Sequence, residues 1–135
     1  MPRATSKTKK SAVPDAARLR IQLRLMLAEE IALGPGKVDL LQTIHNTGSI
    51  SAAGRAMNMS YRRAWLLVDA MNRCFTAPLV DTAKGGSQGG GARLTPLGEQ
   101  VLQIYQLMRS DVQAVADPHF QQLAALLRHE PLPVG

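Results

Sequence analysis

At 135 residues, 45% of them hydrophobic, the chain has the apolar content for one domain with a modest core. Its formal net charge of +6 points to a polyanionic partner, and nucleic acid is the commonest. The single cysteine, Cys74, excludes an intrachain disulfide, and no apolar run approaches the ~20 residues that cross a bilayer.

Met1 to Pro14 carries Arg3, Lys7, Lys9 and Lys10 with no acidic residue and no apolar face. It reads as a disordered basic tail running to about residue 17. Arg18 to Leu27 alternates strictly, with Leu19, Ile21, Leu23, Leu25 and Leu27 on one side. Period two predicts a strand with one buried face. Glu29 and Glu30 then form a turn, Ile31 to Leu33 pair back, and Gly34, Pro35 and Gly36 break the chain.

Val38, Leu40, Leu41 and Ile44 are apolar at helical spacing, and Gly48 suits a left-handed cap. A short second helix over about 51–57 is small-faced, with Ala52, Ala53, Gly54 and Ala56, so another helix can approach closely. Ser60 N-caps a third helix that runs to about Phe75, with Ala64, Leu67, Val68 and Met71 on one stripe. Pro78 stops it. Leu79 to Ala83 and Ala92 to Leu94 read as strands of a hairpin whose glycine-rich tip spans Lys84 to Gly91. Thr95 caps a helix opened by Pro96, with Leu97, Val101, Ile104, Met108, Val112 and Val115 spaced by fours and threes as in a helix-pairing seam. Asp117 and Pro118 are expected to end it, and a last amphipathic helix follows from His119 to Arg128. The predicted domain therefore spans 18–116, with a C-terminal helix and tail over 117–135.

Three helices followed by a two-stranded hairpin is the winged-helix order. The fold class is mainly α with small β elements, a winged helix-turn-helix with an N-terminal strand and C-terminal dimerisation helices. Asn58 takes the tight-turn position, because Asn tolerates positive φ. The third helix then enters a major groove by its N-terminus, which reads Ser60, Tyr61, Arg62 and Arg63. Arg pairs bidentately with guanine or neutralises phosphate, and Tyr61 donates to phosphate or packs on a thymine methyl. Ser49 and Ser51 contact phosphate at the preceding helix start. Lys84, Ser87, Gln88 and Arg93 belong to the wing, where glycines bring the backbone close to DNA. Trp65 is assigned to the core. Leu23 and Leu25 of the strand, with Val101, Ile104, Met108 and Val112 of the long helix, are the expected dimer contacts.

Four stretches carry a resemblance: Ala32-Leu-Gly-Pro-Gly-Lys37, Thr47-Gly-Ser-Ile-Ser-Ala-Ala53, Met59-Ser-Tyr-Arg-Arg-Ala-Trp65 and Gly89-Gly-Gly-Ala-Arg-Leu-Thr-Pro96. Together they resemble the N-terminal domain of the molybdate-responsive ModE regulators, and the helix-turn-helix is similar to that of LysR-type regulators. The resemblance covers about Leu19 to Val115. It implies a winged helix that dimerises and binds operator DNA. Full-length members continue into oxyanion-binding domains, for which the residues after Val115 leave no room, so no small-molecule effector is expected within this chain.

The expected partners are double-stranded DNA and a second copy, with no membrane and no cofactor, in the cytoplasm. Two alternatives compete, an oxyanion-responsive sensor of molybdate or tungstate and a dimerising adaptor without DNA binding. Catalysis is not expected. His45, His119 and His129 lie on different elements, and the glycine-rich loop lacks the Gly-Lys-Ser/Thr ending of a phosphate-binding loop.

Overall fold

The computed structural model describes residues 13–83 and 91–135. They divide into two compact units, Gln22–Arg109 and a second one made of residues 13–21 with Ser110–Gly135.

The larger unit opens with a hairpin, β1 (Leu25–Leu27) antiparallel to β2 (Glu30–Leu33), in register Leu25 to Leu33 and Leu27 to Glu30 with an irregularity after Leu25. The strand is thus far shorter than the alternation from Arg18 predicts. Alternation needs a partner strand to become a sheet, and β2 ends after four residues because Gly34 and Pro35 start a helix. The turn falls on Ala28 and Glu29, with Ala28 at φ 53°, so Glu30 belongs to the strand and not to the turn. Leu23 is half-buried between exposed Gln22 and Arg24, as the alternation predicts, whereas Leu25 and Leu27 of the same predicted face are 50% and 54% exposed. The Leu23 side chain packs on the core, and its carbonyl accepts the Tyr105 hydroxyl at 2.7 Å.

Gly34 to Gly36, expected as a break, are the entry to helix α1 (Pro35–Thr47). Gly34 is the N-cap and Pro35 stands in the first turn, where its missing N–H has no partner to lose. Val38, Leu40, Leu41 and Ile44 are fully buried. Gly48, at φ 75°, closes the helix by donating its N–H to the Ile44 carbonyl at 2.8 Å. Helices α2 (Ile50–Ala56) and α3 (Tyr61–Cys74) follow. Ala53, Ala64, Val68 and Met71 join the α1 residues in one core cluster, which Leu79, Val80, Leu94, Leu102 and Tyr105 complete.

Strands β3 (Val80–Thr82) and β4 (Ala92–Leu94) form the wing, paired antiparallel with Val80 opposite Leu94 and Asp81 opposite Arg93. Asn72 ties α3 to it. Its amide oxygen accepts the Leu79 and Val80 N–H groups at 2.8 and 3.2 Å, so these strand donors do not go unpaired. Thr95 accepts the Gly98 N–H at 2.9 Å and donates to the Pro78 carbonyl at 2.7 Å, which caps α4 (Pro96–Ala124) and pins its start to the wing.

Helix α4 is one continuous element of 29 residues, where two were expected. Pro118 lies inside it and removes one backbone hydrogen bond. The Ala114 carbonyl left without that donor lies on an exposed stretch, and good helix formers stand on either side of the proline, Gln113, Ala114 and Ala116 before it and Gln121, Gln122 and Leu123 after it. In the second unit Ala124 is almost wholly buried, Pro14 is buried, and Ala17 donates to the Pro14 carbonyl at 3.0 Å in a turn.

Candidate nucleic-acid interface

The helix-turn-helix is built by close approach. Gly54 faces the turn, and a Cβ there would lie 3.3 Å from the Met59 carbonyl oxygen and 3.5 Å from Ala64 Cβ. To admit even a methyl group there, the turn backbone would have to give by a few tenths of an ångström. Asn58 adopts φ 60°, as its sequence position predicts, and Met59 donates back to the Gly54 carbonyl at 2.9 Å. The turn is therefore fixed by backbone bonds, and α3 has one orientation.

Both helix starts on this side are capped by serine. Ser49 accepts the Ala52 N–H at 3.0 Å, and Ser60 accepts the Arg63 N–H at 3.1 Å. Each hydroxyl keeps its proton to donate to an incoming anion, beside the remaining free N–H groups of the first turn. Ser51 is engaged differently. Its hydroxyl accepts the Arg55 guanidinium at 3.0 Å, one turn along α2. Arg55 is exposed and was not among the expected contacts, although spacing four from Ser51 is the signal for it.

Tyr61, Arg62 and Arg63 are all exposed at the start of α3, Tyr61 at 56%. Among the described residues no carboxylate pairs with either arginine. The acidic side chains of this region are occupied elsewhere. Arg73 binds Asp69 at 3.0 Å and Glu30 at 3.3 Å, and these bonds hold its guanidinium pKa above the usual value. The positive end of α3 is thus uncompensated, whereas its negative end is tied up within the chain.

Trp65, assigned to the core from sequence, is 41% exposed. The α3 core stripe is Ala64, Val68 and Met71, which turns the adjacent Trp65 and Leu66 away from it. The wing lies against the start of α2, because Ala92 donates to the Gly48 carbonyl at 2.9 Å, and Arg93 beside it is exposed. Lys84, Ser87 and Gln88 lie outside the described residues.

The expected dimer contacts divide. Leu23 and Val101 pack on the chain's own core. Leu25, Ile104 and Met108 are exposed at 50%, 56% and 41%, and Val112 is half-buried. The seam read from sequence straddles two faces of α4, since Leu102 and Tyr105, absent from that reading, are its large buried side chains.

Residues 36–99 match the bacterial regulatory helix-turn-helix protein family of lysR type. The chain is 48% identical over 80 residues to the molybdenum-pterin-binding protein MopB of Rhodobacter capsulatus, covering 59% of this chain and 30% of that protein. It is 38% identical over 97 residues to the transcriptional regulator ModE of Yersinia pestis, and 36% over 97 residues to the DNA-binding transcriptional dual regulator ModE of Escherichia coli. Each of those two alignments covers 72% of this chain and 37% of the relative, so the chain spans about a third of the length of the proteins it matches.

Proposed function

We propose that this chain, whose residues 36–99 match the bacterial regulatory helix-turn-helix family of lysR type, is a transcription regulator that binds palindromic operator DNA as a homodimer. The observation that carries the reading is the start of α3, where Tyr61, Arg62 and Arg63 are exposed and the charge of the two arginines is unmatched among the described residues. A major groove accepts a helix presented in this way. Ser49, Ser51, Ser60 and Arg55 take phosphates on either side, with Arg93, Lys84, Ser87 and Gln88 as wing contacts. The relatives named as transcriptional regulators support the same role.

The homodimer follows from footprint. One recognition helix covers too few base pairs to select a site in a genome, and a two-fold pair doubles the footprint. Exposed Ile104, Leu107 and Met108 on α4 supply an apolar face for pairing. The proposed action is binding without turnover, needs no cofactor, and takes place in the bacterial cytoplasm. No helix among the described residues is long and apolar enough to cross a membrane.

Anisotropy titration of labelled duplexes, first selected from a random pool, tests the reading at several salt concentrations. The expected log–log slope has a magnitude on the order of 5–10 for a dimer. A slope near zero, or no duplex bound at low salt, would sink it.

A further inference from the structure

Two apolar side chains of α3 lie outside the core cluster of the described residues. Trp65 is 41% exposed and Leu66 51% exposed. Helical spacing sets Trp65 directly above Tyr61 and Leu66 directly above Arg62, so the two apolar side chains continue the proposed DNA-reading surface by one turn. One further turn along, Asp69 is closed off by its ion pair with Arg73, which also binds Glu30. The outward surface of α3 is therefore a short apolar patch with cations at its N-terminal end and a neutralised ion cluster at its C-terminal end.

Leaving a tryptophan and a leucine in water is unfavourable by roughly 25 cal/mol per Å² of apolar surface, and phosphate contact relieves none of it. The apolar feature on the floor of a major groove is the 5-methyl group of thymine. Resting on the DNA-binding reading above, we propose that Trp65 and Leu66 are specificity-determining residues that pack on thymine methyl groups next to the base pair read by Arg62. The patch is continuous with the Tyr61–Arg63 surface, and the flanking positive charge selects a polyanion over a second copy of this basic chain as its occupant. Each half-site then carries thymine one or two steps from the position contacted by Arg62.

The test uses the full chain and the duplexes that it selects from a random pool. Thymines of one half-site are replaced singly by uracil, which removes the methyl and keeps every hydrogen bond. At one or two positions the wild-type protein is expected to lose about threefold to fivefold in affinity, the worth of one buried methyl group. The same replacement is expected to cost Trp65→Ala or Leu66→Ala nothing. Trp65 is the sole tryptophan, so its emission reports contact without any substitution and is expected to change on adding the thymine duplex. Equal binding of thymine and uracil duplexes overturns the proposal while leaving DNA binding intact. So does a uracil penalty that persists unchanged in both variants. Emission that follows protein concentration and ignores DNA gives the patch to a second copy and also overturns it. Failure to select any duplex counts against the DNA-binding reading itself.

Discussion

Gly98 shows how narrow some single-residue choices are. A Cβ at that position would lie 2.1 Å from the Leu79 carbonyl oxygen, which is backbone and has no rotamer to move. Gly98→Ala must therefore shift α4 away from the wing and break the Thr95 cap. The expected loss in stability is about 3 kcal/mol, at the upper end for overpacking, read as a fall in urea midpoint. An unchanged midpoint would show that the helix and strand are not held in contact. Arg62 is a residue of the opposite kind, exposed and with no side-chain partner among the described residues. Arg62→Ala is expected to keep its unfolding midpoint and lose about 1–3 kcal/mol of discrimination between the selected duplex and single-base variants. Should it instead weaken all duplexes alike, the residue is a phosphate contact. Asn72 differs from both. It is a half-buried polar side chain whose amide closes two strand donors, and nothing in its sequence context signals that, because the contact depends on where the wing returns.

Elements were legible where a local cause sets them and illegible where a partner does. The α1 stripe, the Gly48 cap, the Asn58 turn and the Ser60 cap follow from side chains within a few residues, and all appear in the structure. The N-terminal strand did not, since its length is set by β2 and by the Gly34-Pro35 helix start. Helix α4 misled for a third reason. A proline costs an interior helix about 3 kcal/mol, but that is a bias against continuation and no bar to it when good helix formers stand on both sides and the freed carbonyl lies on an exposed stretch. Pro118→Ala is accordingly expected to stabilise the protein, by about 1–3 kcal/mol, with more helical circular dichroism and a higher melting temperature. A lower melting temperature would mean that the proline supports a local geometry that alanine does not. In the candidate site, the basic start of α3 could be read from sequence because exposure follows from the core stripe next to it. Trp65 was misplaced because size argued for burial, while its phase on the helix, one step from Ala64, argued against it.

At the scale of the whole molecule, the question is which apolar surface the chain keeps for a second copy. The larger unit uses Leu97, Val101, Leu102 and Tyr105 to close its own core, and the Tyr105 hydroxyl anchors the segment before β1 through Leu23. A lysine at Val101 would therefore damage the monomer and say nothing about assembly. Ile104, Leu107 and Met108 are different, at 56%, 59% and 41% exposed and outside the core cluster. A pair of such helices across a two-fold axis would bury the same residues from both copies, as an isologous interface requires. Ile104→Lys with Met108→Lys sets four added positive charges against one another in the dimer and removes no member of the core cluster. The double variant is expected to keep the helical circular dichroism of the wild type and to scatter light as a single chain near its 14.6 kDa mass, where the wild type at tens of micromolar gives about twice that. Its affinity for a palindromic duplex should fall to that of a half-site, and its salt slope to about half, because each copy neutralises its own set of phosphates. If the wild type itself scatters as one chain at that concentration, the palindrome must be read by some other pairing, and this face of α4 is left without its proposed partner.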